Sequence, residues 1–159
     1  MKYIIIIGAS HSGKSTTVNA ICKGLNPTKI YQLIPNWSSI VDSSFKEVDN
    51  SQKLENGTYL IEVNGILILV VAGSPTEQSI KISILFEICF KLNIRIDFAI
   101  VAMRSFEKKE GYDTRNELKN LGELVCETKI YRINQDDFET TIEWKARIET
   151  LIKKIENII

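Results

Sequence analysis

Short, strongly apolar runs alternate along this chain with segments whose apolar residues recur every three or four positions. The first run, Tyr3-Ile4-Ile5-Ile6-Ile7, is β-branched and closed by Gly8, the pattern of a strand buried on both faces. From Thr16 to Leu25, the apolar positions Val18, Ile21, Cys22 and Leu25 keep helical spacing, and Gly24 and Pro27 mark the end. Residues 30–34 alternate loosely before Pro35, which predicts a short strand. Residues 36–56 are polar and serine-rich, and predict a long loop with at most one helical turn. Thr58–Val63 and Ile66–Val71 then flank Asn64-Gly65, the dipeptide that favours a type I′ hairpin.

The second half continues the alternation. Ser74, Pro75 and Glu77 supply an N-cap, a first-turn proline and a capping acid for a helix over 76–92, with Ile80, Ile84, Ile88 and Leu92 on one face. Residues 94–103 predict a strand, 104–115 a charged loop, 116–124 a helix and 129–133 a short strand. A terminal helix is expected from Asp136 or Asp137, with Ile142, Ala146, Leu151, Ile152, Ile155 and Ile159 set among charges. This order predicts an α/β fold: a mostly parallel sheet covered on both faces, with one antiparallel hairpin strand at an edge. The 159 residues carry no repeat, low-complexity tract or linker, so the chain reads as a single domain, 1–159.

Composition changes this picture little. Twenty Lys and Arg balance twenty Asp and Glu, so no net charge draws the chain to nucleic acid or an anionic membrane. The opening apolar run falls short of the ~7–15 residues of a signal core and the ~20 of a membrane helix. Cys22, Cys89 and Cys126 are widely spaced, with no CxxC pair, and read as small core residues in a reducing, cytoplasmic setting.

One segment carries chemistry. Gly8-Ala9-Ser10-His11-Ser12-Gly13-Lys14-Ser15 matches G-x-x-x-x-G-K-[ST], with a buried strand before it and a helical pattern after it. Glycines let the loop turn its backbone N–H groups inward around an anion, and the following helix adds the positive end of its dipole. Lys14 is then placed for the β- and γ-phosphates, the Ser15 hydroxyl for Mg²⁺, and Thr16 for the α-phosphate side. Gly8, Ser10, His11, Ser12, Gly13, Lys14, Ser15 and Thr16 are the candidate ligand-binding residues. His11, the one histidine, reads as a spacer whose N–H faces phosphate, with catalysis as the other reading. On this motif the chain resembles the P-loop NTPase superfamily. The resemblance implies a three-layer αβα fold and binding of ATP or GTP with Mg²⁺.

Two narrower resemblances diverge. The polar loop, the hairpin and the strand leading to Ala72-Gly73 are laid out as in Ras-type small GTPases. The aspartate of their DxxG motif is Val70 here, and no NKxD follows the strand ending at Met103. Small nucleotide kinases place an arginine-bearing lid after a late strand, and Arg104 to Arg115, with Gly111, has that composition. In that reading Arg104 stabilises charge on the transferring phosphoryl group beside Lys14; the alternative is a solvated charged loop. Neither strand end carries the usual acidic partner of Mg²⁺, and Asp97 lies at its strand's start, so Asp42, Asp49 and Glu77 are the remaining candidates. Trp37 either stacks on a base or packs beneath its loop.

The expected function is therefore triphosphate binding, with phosphoryl transfer or hydrolysis of kinase-like type. The alternatives are a non-catalytic nucleotide sensor that presents residues 36–56 to a protein partner, and a divergent GTPase switch.

Overall fold

A computed structural model describes all residues, 1–159. Seven strands form one mixed sheet. They are β1 (Lys2–Gly8), β2 (Lys29–Ile34), β3 (Ser44–Val48), β4 (Thr58–Val63), β5 (Ile66–Val71), β6 (Phe98–Arg104) and β7 (Glu123–Lys129). The helices are α1 (Lys14–Gly24), α2 (Pro75–Gln78), α3 (Ile82–Lys91), α4 (Thr114–Leu121) and α5 (Ile142–Glu156). The strand order is β3-β2-β4-β5-β6-β1-β7.

Strands β5, β6, β1 and β7 run parallel, and the apolar runs of β5, β6 and β1 are continuous because both faces are covered. Ile4 and Ile6 of β1, with Ile68, Val70, Ile100 and Ala102, face Val18, Ile21 and Cys22 of α1 and Leu151 and Ile155 of α5. Ile5 and Ile7, with Leu69, Val71, Ala99 and Val101, face Ile82, Leu85 and Ile88 of α3 and Leu118 of α4. The alternation along each strand thus feeds two separate cores.

Several elements differ from the expectation. The hairpin forms with Asn64 and Gly65 both at positive φ, 51° and 79°, as a type I′ turn requires. It is interior rather than at an edge, because β4 also pairs with β2, and β2 with β3. Three pairings are antiparallel and three parallel, so the sheet is mixed rather than mostly parallel. The expected loop 36–56 contains β3 and a 3-10 turn at Ile40–Asp42. Only Phe45 and Val48 of β3 pack on the cores, so a strand at the sheet's margin shows almost no apolar pattern.

The helix expected over 76–92 is broken. Ser79 is left-handed at φ 59°, ending α2 after one turn. The Gln78 side chain donates to Gly73 O at 2.5 Å and accepts from Thr58 Oγ1 at 2.9 Å, which fastens that turn to the sheet. The strand expected at 129–133 lies at 123–129, where the end of a helix was expected. α4 ends at Gly122, which turns to extended backbone and passes so close to Met1 that a Cβ there would fall 2.4 Å from Met1 O. The strand expected over 94–103 begins only at Phe98. The terminal helix begins at Ile142, after a 3-10 turn at Phe138–Thr140, because the Thr141 hydroxyl accepts from Trp144 N at 3.2 Å.

Candidate functional site

The site is built where β1 ends. Gly8 is the last residue of β1 and stands opposite Arg104, the last residue of β6. A Cβ at Gly8 would lie 2.3 Å from Ser12 Oγ and 3.1 Å from Ile130 O, so a larger residue there would displace the Ser12 side chain and press on the Ile130 carbonyl. The loop then turns through His11 at φ 61° and Gly13 at φ 92°, both left-handed. Ser12 N donates to Ala9 O at 3.2 Å, and Thr17 N to Gly13 O at 2.9 Å as α1 begins. No side chain caps α1, which leaves the N–H groups of its first turn to an anion or to water.

Lys14 folds back across this loop. Its Nζ donates to Ala9 O at 2.9 Å and lies 3.9 Å from Glu77 Oε1, and the residue is only 6% exposed. Burial holds the Lys14 pKa below the ordinary lysine value; Glu77 opposes this shift and Arg104 adds to it. Arg104 donates Nε–H to the same Glu77 oxygen at 3.0 Å. Two cations from β6 and α1 therefore converge on one carboxylate from α2. The one-turn length of α2 and the Gln78 bonds hold Glu77 there.

Of the polar loop residues, Ser15 Oγ donates to Ala72 O at 3.1 Å, which joins α1 to the turn after β5. Ser12 Oγ and Thr17 Oγ1 are buried without a hydrogen-bond partner, an arrangement that costs about 1–3 kcal/mol per group unless something fills it. Ser10 and His11 are exposed, and Thr16 is half-buried.

Beside the loop lies an open cleft of about 670 Å³. His11, Ser12, Gly13 and Thr16 form one wall, and Phe138, Trp144 and Arg147 form part of the other. The Phe138 and Trp144 rings meet edge to face, 5.1 Å apart at 80°. Arg147 stacks over Trp144 at 5.6 Å and donates to Tyr131 O at 2.8 Å; burial lowers its pKa, against the pull of Glu143. Sequence reasoning missed this wall. Its one local signal was the Thr141 cap between the two aromatic residues, which marks the true start of α5.

The other candidates separate cleanly. Among the three acidic candidates only Glu77 reaches the loop. Asp42 pairs with Lys91 and accepts from Ser39 Oγ at 2.6 Å, and both interactions keep its carboxyl low. Asp49 accepts from Ser51 N and Oγ at 2.9 and 2.7 Å. Asp97 sits at the opposite end of the sheet, where it accepts from Leu67 N at 3.4 Å and pairs with Arg95. Trp37 is 65% exposed and lines no part of the cleft, so it does not pack beneath its loop.

The segment after Arg104 is held at both ends. Glu107 accepts from Thr114 N and Oγ1 at 2.7 and 2.5 Å, and Lys109 donates to Ser79 Oγ at 2.7 Å. No group of three or more His, Cys, Asp or Glu side chains converges anywhere in the chain. No helix is long and apolar enough to cross a membrane.

No family model, curated protein or solved structure matches this chain.

Proposed function

We propose that the chain is a P-loop nucleoside triphosphate-binding protein of kinase-like type, with that superfamily's three-layer αβα arrangement. The carrying observation is Lys14, a buried lysine bent back over a loop with two left-handed residues between a buried strand and an uncapped helix N-terminus. A buried ammonium held by one carbonyl and one carboxylate has capacity for stronger acceptors, and phosphate oxygens are such acceptors. Ser12 Oγ, buried without a partner beside Gly8, is a further donor for an anion in this loop. The triphosphate lies along residues 8–16, and the nucleoside extends past His11 toward Trp144 and Phe138.

The residues present suit Mg²⁺, which favours oxygen donors and keeps several waters, so it needs few protein ligands. Ser15 and Glu77 are the residues that would hold it, and when bound with ATP or GTP it supplies positive charge to the phosphate oxygens. Lys14 and Arg104 are the catalytic candidates: Lys14 orients the phosphates, and Arg104 meets charge that develops on the transferred group. The chain then acts as a phosphotransferase or hydrolase.

One observation favours a second reading, binding without turnover. The only carboxylate at the loop, Glu77, is engaged by two cations, which leaves no unengaged base beside the phosphates. Such a sensor would signal to a protein partner through residues 36–56.

The test is calorimetric titration with ATP and with GTP in Mg²⁺, with phosphate release followed on the same samples. Lys14→Ala should weaken binding about 10- to 100-fold, the factor for losing a hydrogen bond to a charged group. Equal affinity in wild type and mutant removes the reading. Binding with phosphate release supports the enzyme, and binding without it supports the sensor.

A further inference from the structure

We infer that the chain pairs with a second copy of itself through the outer edge of β7, antiparallel and two-fold symmetric about Thr128. β7 is the last strand of the sheet and pairs only with β1, so its outer backbone groups are unbonded within the chain. Ile130 N donates to Ile7 O at 2.9 Å, which points the Ile130 amide at β1. Alternation turns the N–H and C=O groups of Cys126 and Thr128 the same way, and those of Glu127 and Lys129 outward. The one irregularity of this ladder falls earlier, where Val125 is passed over between Leu124 and Cys126. Cys126 to Lys129 is therefore a regular open edge, of the kind that accepts another strand.

The charge order names the occupant. Glu127 and Lys129 register with Ile5 and Ile7, on the sheet face that α3 and α4 cover. An antiparallel copy centred on Thr128 sets Glu127 opposite the partner's Lys129, and Lys129 opposite the partner's Glu127. Both positions carry outward backbone groups, so each pair exchanges two hydrogen bonds. Directly across a ladder, opposite charges stabilise and like charges oppose. Lys129 forms no ion pair within the chain, and its ammonium lies 5.6 Å from the centre of the Tyr131 ring. Arg115 engages only Oε1 of Glu127, at 2.8 and 2.9 Å, which leaves Oε2 for a second cation.

Other centres fit less well. A two-fold on Glu127 sets that carboxylate against its own copy, and one on Cys126 draws the bulged Val125 into the ladder. At the far edge of the sheet, Lys46 and Glu47 of β3 are adjacent and so lie on opposite faces, and no two-fold sets one against the other. Around Thr128 the charge order matches itself, and the occupant it specifies is this same chain. Beyond β7 the chain runs directly into the cleft wall: Arg132 to Asp136 line the cleft, and Arg147 of that wall donates to Tyr131 O. A paired β7 thus anchors the start of that wall.

Sedimentation equilibrium of the full chain, up to about 1 mM, reads the state of association. The wild type should reach twice the chain's mass. Lys129→Glu sets carboxylates opposite one another and should raise the dimer dissociation constant about tenfold or more, whereas Lys129→Arg should stay near wild type. Lys129→Pro removes an N–H that β1 does not use, so it should give a monomer that circular dichroism shows to be folded. In hydrogen exchange, the Glu127 and Lys129 amides should be slow in the wild type, and the Glu127 amide fast in Lys129→Pro.

The register has its own test. Thr128→Cys in a Cys126→Ser background should form an inter-chain disulfide on mild oxidation, since the paired Cα atoms stand about 4.5 Å apart, within the ~4.4–6.8 Å that such a bond spans. Cys126 in the wild type should not cross-link, because its copy lies about 13 Å away along the strand. A monomer at every concentration overturns the inference and leaves the edge to a strand of another protein. A dimer indifferent to both Lys129→Glu and Lys129→Pro overturns it too, and one cross-linked through Cys126 overturns the pairing about Thr128.

Discussion

Cys22 and Cys89 lie in the two cores on opposite faces of the sheet, and burial pushes both thiols up to about 12. Lys23 opposes the shift at Cys22 without reversing it. Both therefore stay protonated and shielded at neutral pH, whereas Cys126 on β7 is only half-buried. A maleimide added to the native protein at pH 7 should label Cys126 alone, and all three cysteines should react in denaturant. Mass spectrometry of the peptides reads this directly, and native labelling of Cys22 would mean that the α1 face opens. The same scale explains the loop: the chain returns tightly past Gly8, and Gly13 takes a left-handed backbone angle that favours glycine. His11 shares the left-handed geometry, which histidine adopts more readily than most non-glycine residues.

Elements end where one side chain makes a bond that the helix or strand cannot. The Thr141 hydroxyl does this twice, donating to Phe138 O at 2.6 Å and accepting from Trp144 N at 3.2 Å. It joins the 3-10 turn to α5 and so holds the aromatic wall of the cleft. Thr141→Ala should destabilise the protein by about 1 kcal/mol, the usual value of an N-cap, seen as a lower urea midpoint with an unchanged slope. A change below about 0.3 kcal/mol would show that the aromatic pair holds the helix start without the cap. The broken helix after Pro75 follows the same logic. Its four-residue apolar steps were visible, but the Gln78 bonds that stop it are made to Thr58 and Gly73, and Thr58 is distant in sequence.

At the scale of the whole molecule, β6 lies between β5 and β1, so Arg104 and Gly8 end side by side. That adjacency brings the cation of one strand to the loop of the next. It depends on the packing of β6, whose Ile100 is fully buried against the core that α1 and α5 cover. Ile100→Ala should cost about 2–5 kcal/mol in urea unfolding, a large part of the ~5–15 kcal/mol that stabilises a typical domain. Phe90→Ala, at a residue 83% exposed on α3, should change stability by less than about 0.5 kcal/mol. Similar losses for the two would place the stabilising core elsewhere than on β6.

What the sequence determined by itself was local. Apolar runs with both faces buried announced β1, β5 and β6, Asn64-Gly65 announced the hairpin, and the glycine spacing announced the loop, because each pattern is set by neighbouring residues' own geometry. It also supplied Lys14, Ser15 and Arg104 as candidates. Only the tertiary structure decided which acid stands with them, since Asp42, Asp49 and Glu77 look alike in sequence and differ in where the chain brings them. The same is true of β3 and β7. An edge strand is covered on one side, carries few apolar residues, and gains its stability from a partner strand that no local pattern names. The aromatic wall of Phe138, Trp144 and Arg147 joins the loop for that reason too: α5 packs on α1, and packing is a property of the fold rather than of any segment.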